Sequence, residues 1–159
     1  MHELSVSTHI DAPPALVWNV LVNRTDEWWC PKPWRAKVDF GEREAGKPMS
    51  TVMHGPDGEE QQHGGLLLAW EEGRRFATTD SISGELEPRD AFMIGIWEIE
   101  PDGTGTRYTA RARHWSQEAM NQHRDMGFDE GWNACAAQLK ALCEEEANAQ
   151  ANAAALRSS

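Results

Sequence analysis

The segment ELSVSTHI alternates, with Leu4, Val6, Thr8 and Ile10 on one side, and this period of two predicts a half-buried strand over 3–10. DAPP at 11–14 interrupts it, and Val17, Trp18 and Leu21 then recur at helical spacing behind Pro13 and Pro14, residues suited to a helix's first turn. A second short helical turn holding Trp28 and Trp29 is expected, with Asp26 as its cap. Pro31 and Pro33 end it, because the residue before a proline is pushed out of the helical region.

Beyond Trp34 the period of two dominates and predicts strands at 38–40, 49–54, 64–70, 74–81, 91–100 and 106–115. GPDGE at 55–59 and EPDGT at 100–104 share one turn chemistry, Pro presetting a corner and Gly free to take positive φ. The C-terminal third changes period. Phe128, Trp132, Cys135, Leu139 and Leu142 share one face of a long helix. The order strand, two short helices, six strands, long helix is an α+β architecture, with the last helix lying across the concave side of a curved antiparallel sheet. Residues 1–143 read as one domain. The tail at 144–159, rich in Ala and Asn, either extends the long helix or frays.

MGFDEGWNACAAQL, at 126–139, places two glycines four residues apart at the head of this helix, each costing about 1 kcal/mol relative to Ala if helical. Gly127, Gly131 and Ala134 form a stripe of small residues that lets the backbone approach either the sheet or a molecule held between helix and sheet.

In the last strand the arginines at 107, 111 and 113 take the solvent side, which turns Tyr108, Ala110, Ala112 and His114 inward. In the preceding strand Trp97 and Ile99 are assigned inward, so that Glu98 and Glu100 can pair with the outward arginines across the hairpin. A simple three-residue PDG loop gives the opposite face, so this choice demands a longer loop or a bulge near 103–105. It also leaves Phe92, Ile94 and Ile96 as an outer apolar stripe, for which a homodimer is the simplest cover.

Composition narrows the function. With 159 residues the chain is one domain by size, and a net charge of −11 argues against nucleic acid and anionic membrane as partners. No basic-then-apolar leader and no long apolar run is present, so a cytoplasmic location is expected. Cys30, Cys135 and Cys143 contain no C-x-x-C and fit packed, reduced thiols. Eight tryptophans beside one tyrosine promise a large aromatic interior. Motifs for nucleotide binding, zinc proteases and serine hydrolases are missing. A three-residue loop inside GPDGE puts His54 opposite Glu60 and His63 opposite Thr51, separating the imidazoles, so no metal and no cofactor is expected.

IDAPPALVWNVL at 10–21, EWWCP at 27–31, GPDGEE at 55–60, IWEIEPDGTGTR at 96–107 and MGFDEGWN at 126–133 together resemble the START-like (SRPBCC) superfamily. The branch they resemble is the one named for the activator of the heat-shock protein 90 ATPase. The resemblance spans about residues 4–143 and implies a helix-grip fold, a seven-stranded curved antiparallel sheet around a long C-terminal helix with an apolar tunnel between them. Relatives include small-molecule binders and aromatic polyketide cyclases.

A cavity between helix and sheet is therefore expected, walled by Trp29, Trp34, Met53, Phe76, Trp97, Tyr108, His114, Phe128, Gly131, Trp132 and Cys135. Its partner is a small, flat apolar molecule. His114 is the acid/base candidate for a cyclase or lyase, with Tyr108 or Asp80 as its proton partner. Binding of an apolar ligand ranks first, cyclase or lyase chemistry second, and interaction with a chaperone third.

Overall fold

The computed structural model describes residues 1–158. Strand β1 (His2–Ile10) is followed by helices α1 (Pro14–Asn23) and α2 (Thr25–Trp28), then by β2 (Arg35–Asp39), β3 (Pro48–His54), β4 (Glu60–Glu71), β5 (Arg75–Thr79), β6 (Ile94–Asp102) and β7 (Gly105–His114). Helices α3 (Gln117–Asp125) and α4 (Phe128–Arg157) complete the chain. All seven strands form one antiparallel sheet in the order β1-β7-β6-β5-β4-β3-β2. The fold is α+β, a curled seven-stranded sheet gripping a long C-terminal helix.

The inward face of β7 follows its sequence pattern, since Tyr108, Ala110, Ala112 and His114 are buried while the arginines between them are half-exposed. Trp97 and Ile99 also belong to the core. The device that sets their face differs from the expected long loop or bulge. Asp102 pairs with Gly105, so the hairpin closes on two residues, Gly103 and Thr104, and Trp97 falls opposite Ala110. Changing the loop from three residues to two reverses the face as surely as lengthening it would, because side chains alternate with a period of two. Across the hairpin Glu98 pairs with Arg111, whereas Arg107 takes Asp102, at 3.0 Å, rather than Glu100.

Of the outer apolar stripe expected from this parity, Ile94 and Ile96 take the outer face, in register with Arg113 and Arg111, and Phe92 does not. Phe92 lies before β6 begins and turns inward, with its ring against His123 at 4.7 Å. Ile96 is buried within its own chain, paired in register with Ala77 and Arg111. Ion pairs from Arg111 to Glu98 and Glu3, and from Arg113 to Glu3 at 2.8 Å, span the outer face there. The open apolar stripe that called for a two-fold partner is thus reduced to the half-buried Ile94.

Helix α3 is an element the sequence reading passed over, capped by Ser116, whose hydroxyl accepts from Ala119 N at 3.1 Å. Gly127 follows it with φ of 96°, a left-handed conformation that turns the chain from α3 into α4. This is the role of the first glycine in the motif. Gly131 lies in the first turns of α4, where an added Cβ would make ordinary contact with Pro31 at 3.6 Å. The helix then runs unbroken through the Ala-rich tail to Arg157.

Candidate functional site

The floor of the site comes from inward residues of β2–β6, and α2 closes one side. Asp26 does not cap α2, whose first turn follows Arg24; its carboxylate instead accepts from Val38 N at 2.8 Å, tying α2 to β2. From α4, Gln138 donates to the carbonyls of Trp28 and Cys30 at 2.7 and 3.0 Å and accepts from Lys32 N at 3.2 Å. One amide side chain thereby fixes the 28–32 corner and with it the direction of Trp28 and Trp29.

Between α2 and the sheet lies a cavity of about 260 Å³. Its lining is mainly apolar, with Trp28, Trp29, Val38, Phe40, Met49, Met53, Phe76, Phe92, Met93 and Trp97 around a few polar groups, among them Thr51, Thr78, Asp80 and His63. Phe76 and Trp97 stack, centroids 5.0 Å apart, and Trp29 stands edge-on to Trp97 at 5.6 Å. Asp80 accepts from the backbone N–H groups of Phe92 and Met93 at 3.0 to 3.3 Å, which shapes the chain entering β6.

Trp29, Met53, Phe76 and Trp97 of the expected set therefore meet around this cavity. The others lie elsewhere. Trp34 borders a separate surface groove with Lys32 and Arg35. Tyr108, Phe128, Trp132 and Cys135 are buried in the core, Tyr108 against Trp28 at 6.2 Å and Trp132 stacked on Trp97 at 5.6 Å. Gly131 faces Pro31. The space beneath α4 is filled by rings, and the open volume has moved toward β2–β5. Trp28, Phe40 and Met49 join the lining without having been singled out, although Met49 shares strand parity with Thr51 and Met53.

His114 is inward and buried, but its partner is neither Tyr108 nor Asp80. Its Nε2 lies 2.9 Å from His123 Nδ1, and its Nδ1 lies 3.2 Å from the His2 carbonyl. A carbonyl only accepts, so His114 donates from Nδ1 to the His2 carbonyl, and one proton lies between His114 Nε2 and His123 Nδ1. Burial, and then the neighbouring His114, push His123 down to about 4, which keeps His123 neutral near pH 7. Phe92 contacts both imidazoles and also lines the cavity, so its ring stands between them and the open space. Burial likewise raises the Cys135 and Cys143 thiols to about 12 and lifts Cys30, so all three are packing groups rather than nucleophiles. His54 lies opposite Glu60 and His63 opposite Thr51, the pairing the three-residue loop predicts, and no cluster of metal-ligating side chains is found among the described residues.

A sheet curled around a C-terminal helix with an apolar cavity beside it can be compared with known proteins. The family model described as activator of Hsp90 ATPase homolog 1-like protein matches residues 11–144. The chain belongs to this family. It is a START-like (SRPBCC) protein of that branch, as the motifs along the sequence imply. A crystal structure of a protein from Nitrosomonas europaea is similar at 31% identity, with 91% of this chain and 95% of that one covered and a TM-score of 0.80. A protein from Mycobacterium smegmatis is similar at 25% identity, covering 88% and 89%, with a TM-score of 0.71. The AHSA1 protein from Silicibacter pomeroyi shares the fold at 16% identity, covering 91% and 99%, with a TM-score of 0.69. No curated protein matches. Among the described residues no helix is long and apolar enough to cross a membrane.

Proposed function

We propose that this family member binds a small, flat, apolar molecule in the cavity between α2 and the sheet. The observation that carries the reading is the lining itself, where aromatic rings and three methionines, Met49, Met53 and Met93, surround about 260 Å³. Rigid rings favour planar ligands and flexible thioethers adapt to their edges. Turnover by a cyclase or lyase ranks lower, because the candidate base His114 is bonded to His123 behind Phe92, while the Asp80 carboxylate is engaged by backbone N–H groups. An action on a heat-shock ATPase, which the family's description ascribes to its namesake, is the third reading and makes no use of the cavity.

The test is titration with N-phenyl-1-naphthylamine, a neutral apolar dye that brightens in dry surroundings. The wild type should bind it saturably at micromolar concentration, and Thr51→Trp, which places a ring in the cavity, should abolish binding with the near-ultraviolet circular dichroism of a folded protein retained. Equal binding by both proteins would place the dye elsewhere and remove the proposal.

A further inference from the structure

The sheet wall of the cavity is not uniformly apolar. Thr51 alternates with Met49 and Met53 on the inward face of β3, and Thr78 follows Phe76 on that of β5; all five line the cavity. Among the described residues, the unpartnered side-chain polar atoms closed off from water are Arg75 Nε and Trp97 Nε1. The two threonine hydroxyls are also without a hydrogen-bond partner, but they are open, and on inward-facing, half-buried residues the opening is the cavity itself. His63 stands directly opposite Thr51 in the β3–β4 ladder, so the two side chains share that face with Cβ atoms about 5 Å apart. It is exposed yet part of the lining, which places it at the cavity's opening, and its imidazole has no partner among the described residues. Thr78 lacks such a neighbour, since its ladder partners are Leu67 and Gly95.

Free polar groups therefore meet at one place on the wall, Thr51 beside His63. A hydroxyl and a neutral imidazole can each donate and accept, so a ligand hydroxyl laid between them can give a hydrogen bond to one and take one from the other. A plain hydrocarbon would strip water from both groups and return nothing, which costs affinity. An anionic head is opposed by the Asp80 carboxylate in the same lining and by the net charge of −11. We infer that the cavity's ligand carries a neutral hydroxyl at one edge of its flat apolar frame, as a phenol does, and that Thr51 and His63 hold it at the opening. The inference rests on the proposed cavity and adds its polar anchor, which sets which end of the ligand enters first.

Three probes of one shape test this by displacing N-phenyl-1-naphthylamine: naphthalene, 2-naphthol and 2-naphthoate. At pH 7 the wild type should bind 2-naphthol about tenfold more tightly than naphthalene, as expected for a buried hydroxyl that gains partners, and more tightly than 2-naphthoate. Thr51→Val keeps the shape and strand preference of the residue while removing the hydroxyl, and it should cut the naphthol preference about threefold. His63→Leu should do the same, and the double variant should bind naphthol and naphthalene within about twofold of each other. Should either variant fail to fold, the wild type alone decides, because the His63 ring resonances should move with 2-naphthol and stay with naphthalene. Equal affinities for naphthol and naphthalene, naphthoate binding as tightly as naphthol, a preference that survives the double variant, or indifferent His63 resonances would each overturn the anchor while dye binding still upholds the cavity. Failure of the dye itself to bind would overturn the cavity reading and the anchor together.

Discussion

Trp132 on α4 lies parallel to Trp97 on β6, their centroids 5.6 Å and their planes 16° apart. This contact joins the long helix to the sheet across the place where a tunnel was expected, and it explains why the open volume lies toward β2–β5. Phe128 adds a ring 4.6 Å from Trp132, so the helix's first turns are a solid aromatic wedge.

Trp132→Ala should cost about 3–5 kcal/mol, the usual price of deleting a buried aromatic ring. Urea denaturation followed by far-ultraviolet circular dichroism should show the midpoint falling. A cost near zero would mean that the wedge does not hold the helix.

Two glycines should behave oppositely. At Gly95 a Cβ would strike the Trp97 ring, which Phe76 and Trp132 prevent from moving aside, so Gly95→Ala should destabilise by about 1–3 kcal/mol and alter the near-ultraviolet spectrum. At Gly131 the added methyl finds ordinary contact with Pro31, so Gly131→Ala should stabilise by up to about 1 kcal/mol and leave dye binding unchanged. Thermal melts of both variants check the pair.

Stability should fall in mild acid through His123. Its folded value of about 4 lies below the unfolded 6.5, so the unfolded chain takes up a proton first and stability is lost as pH drops from about 6.5 to about 4. A shift of that size corresponds to roughly 3 kcal/mol. His123→Phe should be less sensitive over this window, as read from urea midpoints at pH 7 and pH 4.5; parallel losses in both proteins would assign the effect to other groups.

Ile94→Lys probes the outer face. Ile94 is half-buried there, in register with Thr79 and Arg113, so a lysine stem can follow the sheet and deliver its charge to water. The variant should fold, lose no more than about 1 kcal/mol, and sediment as the wild type does. A change in sedimentation would show that this face joins two copies.

Periodicity alone was enough to read the seven strands and the long helix, because alternation in β7 and the 4, 3 spacing from Phe128 to Leu142 state which side of each element is apolar. It also gave Met53 and Phe76 their inward faces. Helix α3 escaped because its nine residues are mostly polar and bury only Met120 and His123, too short a pattern to stand out. The partner of His114 went with it, since a hydrogen bond between two imidazoles depends on how α3 docks and not on either residue's neighbours in sequence. The two-residue turn at Gly103 and Thr104 was equally hidden, for PDGTG accommodates several loop lengths and only strand pairing selects one. Sequence also could not divide one set of aromatic residues into wall and filling. Trp97 and Trp132 are alike as residues, and it was the docking of α4 onto β6 that stacked them together, closed the tunnel beneath the helix and left the cavity beside α2. Packing is a property of three-dimensional neighbours, so composition and spacing could promise an aromatic interior while only the tertiary fold decided where it stays open.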